Sequence, residues 1–250
     1  SEFVLSIFLQ ADPLRRDARG SISLDQAFED ALARIDSEFG DDPMLAVDLN
    51  DNFGEILAAK GRFDEAFARV QHALELAEKT FGPDSMEVVE ASSNLATIET
   101  YRDRTTAAKP HALRVLRILE GQANPNPVHL GNAHFTLATV LARENDQAGS
   151  IDHVRRGVEL WRKALPPDDL RRHIATFNLG AAYYFAHQWE EAERHFAEGL
   201  VETQRVQGAD SAGLVPMLSL IVENDLNRGR LDIARERAEN LLRIATLHFA

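Results

Sequence analysis

Asparagine stands at position 52, again at 94 and again at 178, with Thr136 at the step between, so a polar side chain recurs every 42 residues. An amide carries two N–H donors and a carbonyl acceptor, the set that can hold the backbone of an extended peptide whatever its side chains. The same amides can also brace neighbouring helices, and the two roles can coexist. Acidic residues gather near the first two asparagines (Asp48, Asp51, Glu55, Glu90), and aromatic residues near the third (Phe177, Tyr184, Phe185). That segregation predicts a partner with Lys or Arg toward one end and an apolar or aromatic residue toward the other.

Other chemistries find weaker support. Among nine histidines the nearest pairs are His129 with His134 and His187 with His195. Neither has the i, i+4 spacing that sets two metal ligands on one helix face, so surface histidines are predicted and no metal or other cofactor. Asp51-Asn52-Phe53-Gly54 has the outline of a kinase metal-binding triplet, but no glycine-rich loop, strand lysine or catalytic loop accompanies it. Glu190, Glu191 and Glu193 read as a solvated helix face, without the paired cleft of general acid/base catalysis. With no cysteine there is no disulfide, thiolate metal site or thiol nucleophile. No catalytic residue is assigned, and an enzyme is the weakest reading.

Charge narrows the partners. The 250 residues carry 40 Asp and Glu against 27 Lys and Arg, a formal −13, the wrong sign for neutralising nucleic-acid phosphates. At 44% apolar and 27% charged the composition is that of a folded protein. The most apolar short run, Phe3 to Leu9, is far short of the roughly 20 residues that cross a bilayer, and it lacks a signal peptide's flanks. No membrane contact is expected of this segment. Its location is open: the cytoplasm is favoured, and the periplasm is admissible if a membrane helix precedes it.

The elements that must position these side chains are set by the same spacing. Ala66, Ala108, Ser150, Ala192 and Ala234 keep one place small at 42-residue steps, while Asp42, Asp84, Asn126, Asp168 and Asp210 keep another suited to a helix N-cap. A uniform period of this length predicts a solenoid whose units bury their apolar faces against one another. Five units are expected (42–83, 84–125, 126–167, 168–209, 210–250), preceded by residues 1–41 with a capping helix from a degenerate half-unit. In that helix Ser23 and Gln26 suit a capping box, and Phe28 and Ala31 match Val70 and Ala73 one period on. First helices are predicted near 44–59, 86–101, 128–143, 170–186 and 214–227, and second helices near 64–80, 106–120, 148–164, 190–206 and 231–247. Gly61, Gly229 and Asn145-Asp146 mark turns between partners. Pro216 predicts a late start or a bend in the last first helix, and Pro110 is tolerable early in its own.

These residues resemble the tetratricopeptide repeat in its 42-residue form, as in kinesin light chains. Asn52-Phe53-Gly54, Asn94-Leu95-Ala96, Thr136-Leu137-Ala138 and Asn178-Leu179-Gly180 are similar to the family's first-helix signature. Arg62-Phe63-Asp64-Glu65-Ala66 and Gln188-Trp189-Glu190-Glu191-Ala192 are similar to its second-helix start. Arg102 to Thr106 and Ile221-Val222 depart from the pattern. The resemblance implies an all-α, right-handed superhelix of antiparallel helix pairs whose first helices line a concave groove. On that face it would place Asp48, Asn52 and Glu55, then Glu90, Asn94, Thr97 and Tyr101. Asn132, Thr136 and Arg143 would follow, then Asn178, Tyr184 and Phe185.

Phe8-Leu9, Ala11-Asp12-Pro13, Ala18-Arg19-Gly20, Ser23-Leu24-Asp25, Ala31 and Arg34-Ile35 are similar to the segment leading into the repeats of bacterial eukaryotic-like serine/threonine kinases. That resemblance implies the C-terminal region of such a signalling protein, with a kinase domain upstream. The expected function is a non-catalytic interaction module for a protein or peptide with a basic segment. The alternative is a homodimer through Leu241, Leu242, Ile244, Leu247 and Phe249, expected to lie uncovered on the last helix.

Overall fold

The computed structural model describes residues 28–32, 34 and 42–249, and all regular structure among them is helical. The chain forms two compact units, Ser1–Arg102 and Asp103–Ala250. In the first, α1 (Pro43–Ala59), α2 (Phe63–Phe81) and α3 (Met86–Tyr101) follow a short helical stretch at 28–32. The second holds α4 (Thr105–Glu120), α5 (Pro127–Arg143), α6 (Gln147–Ala164), α7 (Leu170–Phe185), α8 (Trp189–Gln207), a 3-10 turn (Ala212–Leu214), α9 (Val215–Asn227) and α10 (Leu231–Phe249). Each helix begins and ends within two residues of its expected span. Helices pack in antiparallel pairs, α1 with α2, α5 with α6, α7 with α8 and α9 with α10.

Capping follows local sequence more closely than the period does. Asp42 accepts from the Leu45 amide at 3.1 Å, and Asn126 from the Val128 amide at 2.8 Å, as expected. At the other three starts the cap moves one residue on, to Ser85, Asp169 and Ser211. The difference is proline: Pro43 and Pro127 occupy the first helical position and fix the residue before them as the cap. Asp168 and Asp210, relieved of capping, pair instead with Arg205 at 2.8 Å and Arg243 at 2.6 Å. Pro216 is the second residue of α9, whose start is delayed by the 3-10 turn, while Pro110 sits sixth in α4.

The turns after α1, α3, α5, α7 and α9 share one backbone conformation. Their left-handed residues are Gly61, Asp103, Asn145, His187 and Gly229, spaced by the same period. After four of them the next amide reaches back to close a Schellman motif, as Arg62 N–H does to the Leu57 carbonyl at 2.9 Å. Asp103 and His187 hold this conformation without glycine, at a cost of about 1 kcal/mol each. The departing stretch Arg102 to Thr106 therefore keeps the turn while losing its signature.

Close helix approach explains the small residues. A Cβ on Gly54 would collide with Val70, and one on Gly180 would lie 2.7 Å from Phe196 Cδ1 and 3.0 Å from the Ala192 carbonyl oxygen. Ala66 and Ala192 are fully buried, and Phe53, Leu57, Leu95, Leu137 and Leu179 are buried with them. Phe28, Ala31 and Leu32 of the leading stretch are buried too, with Phe28 stacked on Phe53 at 5.1 Å. The expected capping box at Ser23 and Gln26, and the N-terminal resemblance before Phe28, lie outside the described residues. On α10 the expected uncovered stripe divides. Ile244 is buried and Leu241 packs against the α7–α9 core, whereas Leu242, Leu247 and Phe249 are 68%, 63% and 71% exposed.

The histidines are not all at the surface. His134 and His173 are buried, because each faces its neighbouring elements rather than solvent. His173 Nε2 lies 2.8 Å from the Pro167 carbonyl, and His134 Nδ1 lies 2.9 Å from His153 Nδ1 between α5 and α6. One Nδ1 of that pair must donate and the other accept. Burial, then His153 and Arg156, press the His134 pKa down to about 4. A histidine with a depressed folded pKa favours the neutral form, so its contribution is complete above its ordinary pKa and fades as pH falls toward 4. Lowering the pH from 7 to 4 should cost on the order of 2 kcal/mol through this group. Chemical denaturation at a series of pH values, compared with His134→Gln, is expected to show a shallower acid loss in the variant.

Candidate peptide-binding site

In the first unit α1 and α3 lie side by side. Asp48, Asn52 and Glu55 project exposed from α1, and Glu90, Thr97 and Tyr101 from α3. Asn52 turns its amide back to the Asp48 carbonyl of its own helix at 2.6 Å, and Thr97 bonds the Ser93 carbonyl at 3.0 Å. Asn94 is different. It donates to Asp51 Oδ2 and to Glu55 Oε1, both at 2.9 Å, so its two N–H groups already tie α3 to α1. The other Asp51 oxygen, Oδ1, is buried without a hydrogen-bond partner. Burial raises the Asp51 pKa to about 6; the Asn94 hydrogen bond opposes this, and the charges of Glu55, Glu90 and Asp48 add to it.

Beside this cluster opens a cavity of about 500 Å³, lined by Glu55 and Asn94 at its polar side and by Ala58, Ala59, Phe63 and Tyr101 among its apolar residues. Phe63 and Tyr101 stack at 5.5 Å with planes 15° apart, and Tyr101 stays 59% exposed. The cavity exists because α1 ends in two alanines. Three periods on, the corresponding residues are Tyr184 and Phe185, and Trp189 matches Phe63.

In the second unit Asn132 on α5 and Asn178 on α7 are exposed, with no hydrogen-bond partner among the described residues. Thr136 is half-buried, and exposed Arg143 lies 3.8 Å from Asp103. The Tyr184 hydroxyl donates to Glu223 at 2.9 Å and accepts from Asn227 at 3.2 Å, tying α7 to α9. Its ring packs 5.3 Å from both Phe185 and Trp189, and Phe185 is 57% exposed. Phe177, expected on or beside this face, is instead in the core, 4.5 Å from Phe196. One residue is a 100° turn of helix, which carries it from the Asn178 face to the α8 side. The recurring asparagines thus divide: Asn94 braces, Asn178 remains available.

The carboxylates read as solvated are partly structural. Glu193 pairs with Arg228 and with Arg230 at 2.6 Å, and Glu190 lies 3.3 Å from Arg228. Asp225, fully buried, pairs with Arg230 and with Arg237 at 2.7 Å. Nothing in the repeat signature marked Asp225; the signal available was a carboxylate where Leu57, Leu141 and Tyr183 stand in three other units, shared with Glu99 in the fourth. Among the described residues no three His, Asp or Glu side chains converge as a metal ion would require, and no helix is long and apolar enough to cross a membrane.

Antiparallel helix pairs at a constant period, joined by one turn conformation and packed through small residues, define an α-solenoid. Residues 44–121 match the family model of the tetratricopeptide repeat. Among solved structures it is similar to the nearly identical repeats of a Podosopora anserina kinesin light chain, at 14% identity and a TM-score of 0.69 over 82% of this chain and 97% of that one. It is also similar to a Rap protein complexed with competence and sporulation factor, at 17% identity and a TM-score of 0.73 over 98% of this chain and 64% of that one. Aspartyl phosphate phosphatase F from Bacillus subtilis shares 17% identity and a TM-score of 0.65 over 98% and 62% of the respective chains. No curated protein matches the sequence.

Proposed function

We propose that the chain is a non-catalytic interaction module that binds an extended peptide or partner segment carrying a basic stretch on the faces of its first helices. The observation that carries this reading is Asn178: an exposed amide with no hydrogen-bond partner among the described residues, at a position where the same residue in the first unit is committed to bracing. Asn132 and Phe185 present further polar and aromatic surface in the same unit. The formal charge of −13 and the acidic residues of α1 and α3 favour a basic partner. A fold of this kind holds a partner in the Rap complex. Placement within a bacterial signalling protein of the serine/threonine kinase kind rests on the N-terminal resemblance alone.

Selecting extended peptides from a displayed library against the whole chain tests this. Selected peptides should lose about 1–3 kcal/mol of affinity for Asn178→Ala, with its melting temperature unchanged. Asn94→Ala, by contrast, should lower stability by about 1 kcal/mol. Equal affinity of every selected peptide for Asn178→Ala and the parent would contradict the reading.

The exposed Leu242, Leu247 and Phe249 favour a second reading, self-association through α10. Light scattering distinguishes it: a dimer that Leu242→Glu dissociates supports it, and a monomer at all concentrations removes it.

A further inference from the structure

We infer that the cavity between the end of α1 and α3 is a subsite for an arginine side chain of the partner segment. The inference rests on the peptide-binding reading and assigns one of its contacts. The occupant is set by shape and charge together. Ala58 and Ala59 leave room for a long side chain, and Phe63 and Tyr101 provide a stacked aromatic wall whose outer ring is 59% exposed. A guanidinium is planar, stacks on such a ring and is more weakly hydrated than an ammonium. At the polar side Glu55 supplies a carboxylate, and its charge acts, with those of Glu90 and Asp48, on the nearby Asp51.

No described Lys or Arg pairs with Asp48, Asp51 or Glu55. Asp51 in addition keeps a buried oxygen without a partner. An incoming guanidinium would meet the Glu55 carboxylate while its methylene stem covers the alanines and the aromatic wall. The corresponding place in the second unit has no such room. There Tyr184, Phe185 and Trp189 pack on one another, so the subsite belongs to α1–α3.

The test is an amide NMR titration of the whole chain with N-acetyl-arginine N-methylamide, against the citrulline analogue, a neutral side chain of the same shape. Expected are saturable shifts at residues 55, 97 and 101 with arginine and at least tenfold weaker binding of citrulline. Glu55→Gln removes the charge while its amide oxygen still accepts from Asn94, and should weaken arginine at least tenfold. Ala59→Phe fills the cavity from an exposed helix position and should abolish the shifts. The inference is overturned by no shift at these residues, by citrulline binding as tightly as arginine, or by an unchanged Glu55→Gln. Library peptides that discriminate against Asn178→Ala but not Glu55→Gln would remove this subsite and leave the broader reading standing. Peptides that discriminate against neither would remove both.

Discussion

Replacing Asp225 with alanine should destabilise the second unit by about 3 kcal/mol, the lower end of the cost of breaking a buried ion pair. The carboxylate is fully buried and holds Arg230 and Arg237, which come from the turn before α10 and from α10 itself. Without it, two guanidiniums lose their shared acceptor inside the packing of α9 on α10. The lower end is appropriate because both arginines are partly exposed, at 25% and 38%, and can recover some hydration, and because Arg230 keeps Glu193. A melting temperature lowered by about 6–12 °C is expected. A variant melting within a degree of the parent would show that the pairs contribute nothing.

Ala192→Leu should cost on the order of 1–3 kcal/mol by overpacking. Ala192 has no exposed surface, and its carbonyl would lie 3.0 Å from a Cβ placed on Gly180, so α7 and α8 have no slack where the larger side chain must go. Gly199→Ala meets a harder obstacle with a smaller group, since its Cβ would come within 2.8 Å of the Phe177 backbone nitrogen. Helix propensity returns about 1 kcal/mol to the glycine variant, so its net loss should be the smaller of the two. Urea unfolding of both measures the ranking, and unchanged midpoints would exclude close helix approach as the reason for the small residues.

How much of this was legible in the sequence depends on what repeats. Helix spans, small packing positions and buried leucines recur at one period, so each unit restates the others and local ambiguity averages out. Properties that differ between units were not legible in that way. The cap shifts from Asp84, Asp168 and Asp210 to their neighbours because proline is absent there, a local rule that overrides the period. The left-handed turns at Asp103 and His187 were concealed because the backbone keeps its conformation after glycine is replaced. The equal spacing of Asn94 and Asn178 concealed unequal roles, since whether an amide is free depends on which carboxylates the adjacent helix offers. Asp51 and Glu55 occupy Asn94, and Asn178 meets no counterpart. Phe177 and the buried histidines were misplaced because a single residue step turns a side chain from the exposed face into the core.

Photo-crosslinking bears most directly on the first-helix faces as the binding surface. A photoreactive side chain is placed singly at Asn132 or Asn178 on α5 and α7, and at exposed Arg194 or Glu236 on the second helices α8 and α10. Irradiation follows mixing with a peptide selected against the unmodified chain. Peptide-binding first-helix faces require crosslinks from 132 and 178 and none from 194 or 236. Crosslinks from the second helices with none from the first would contradict them.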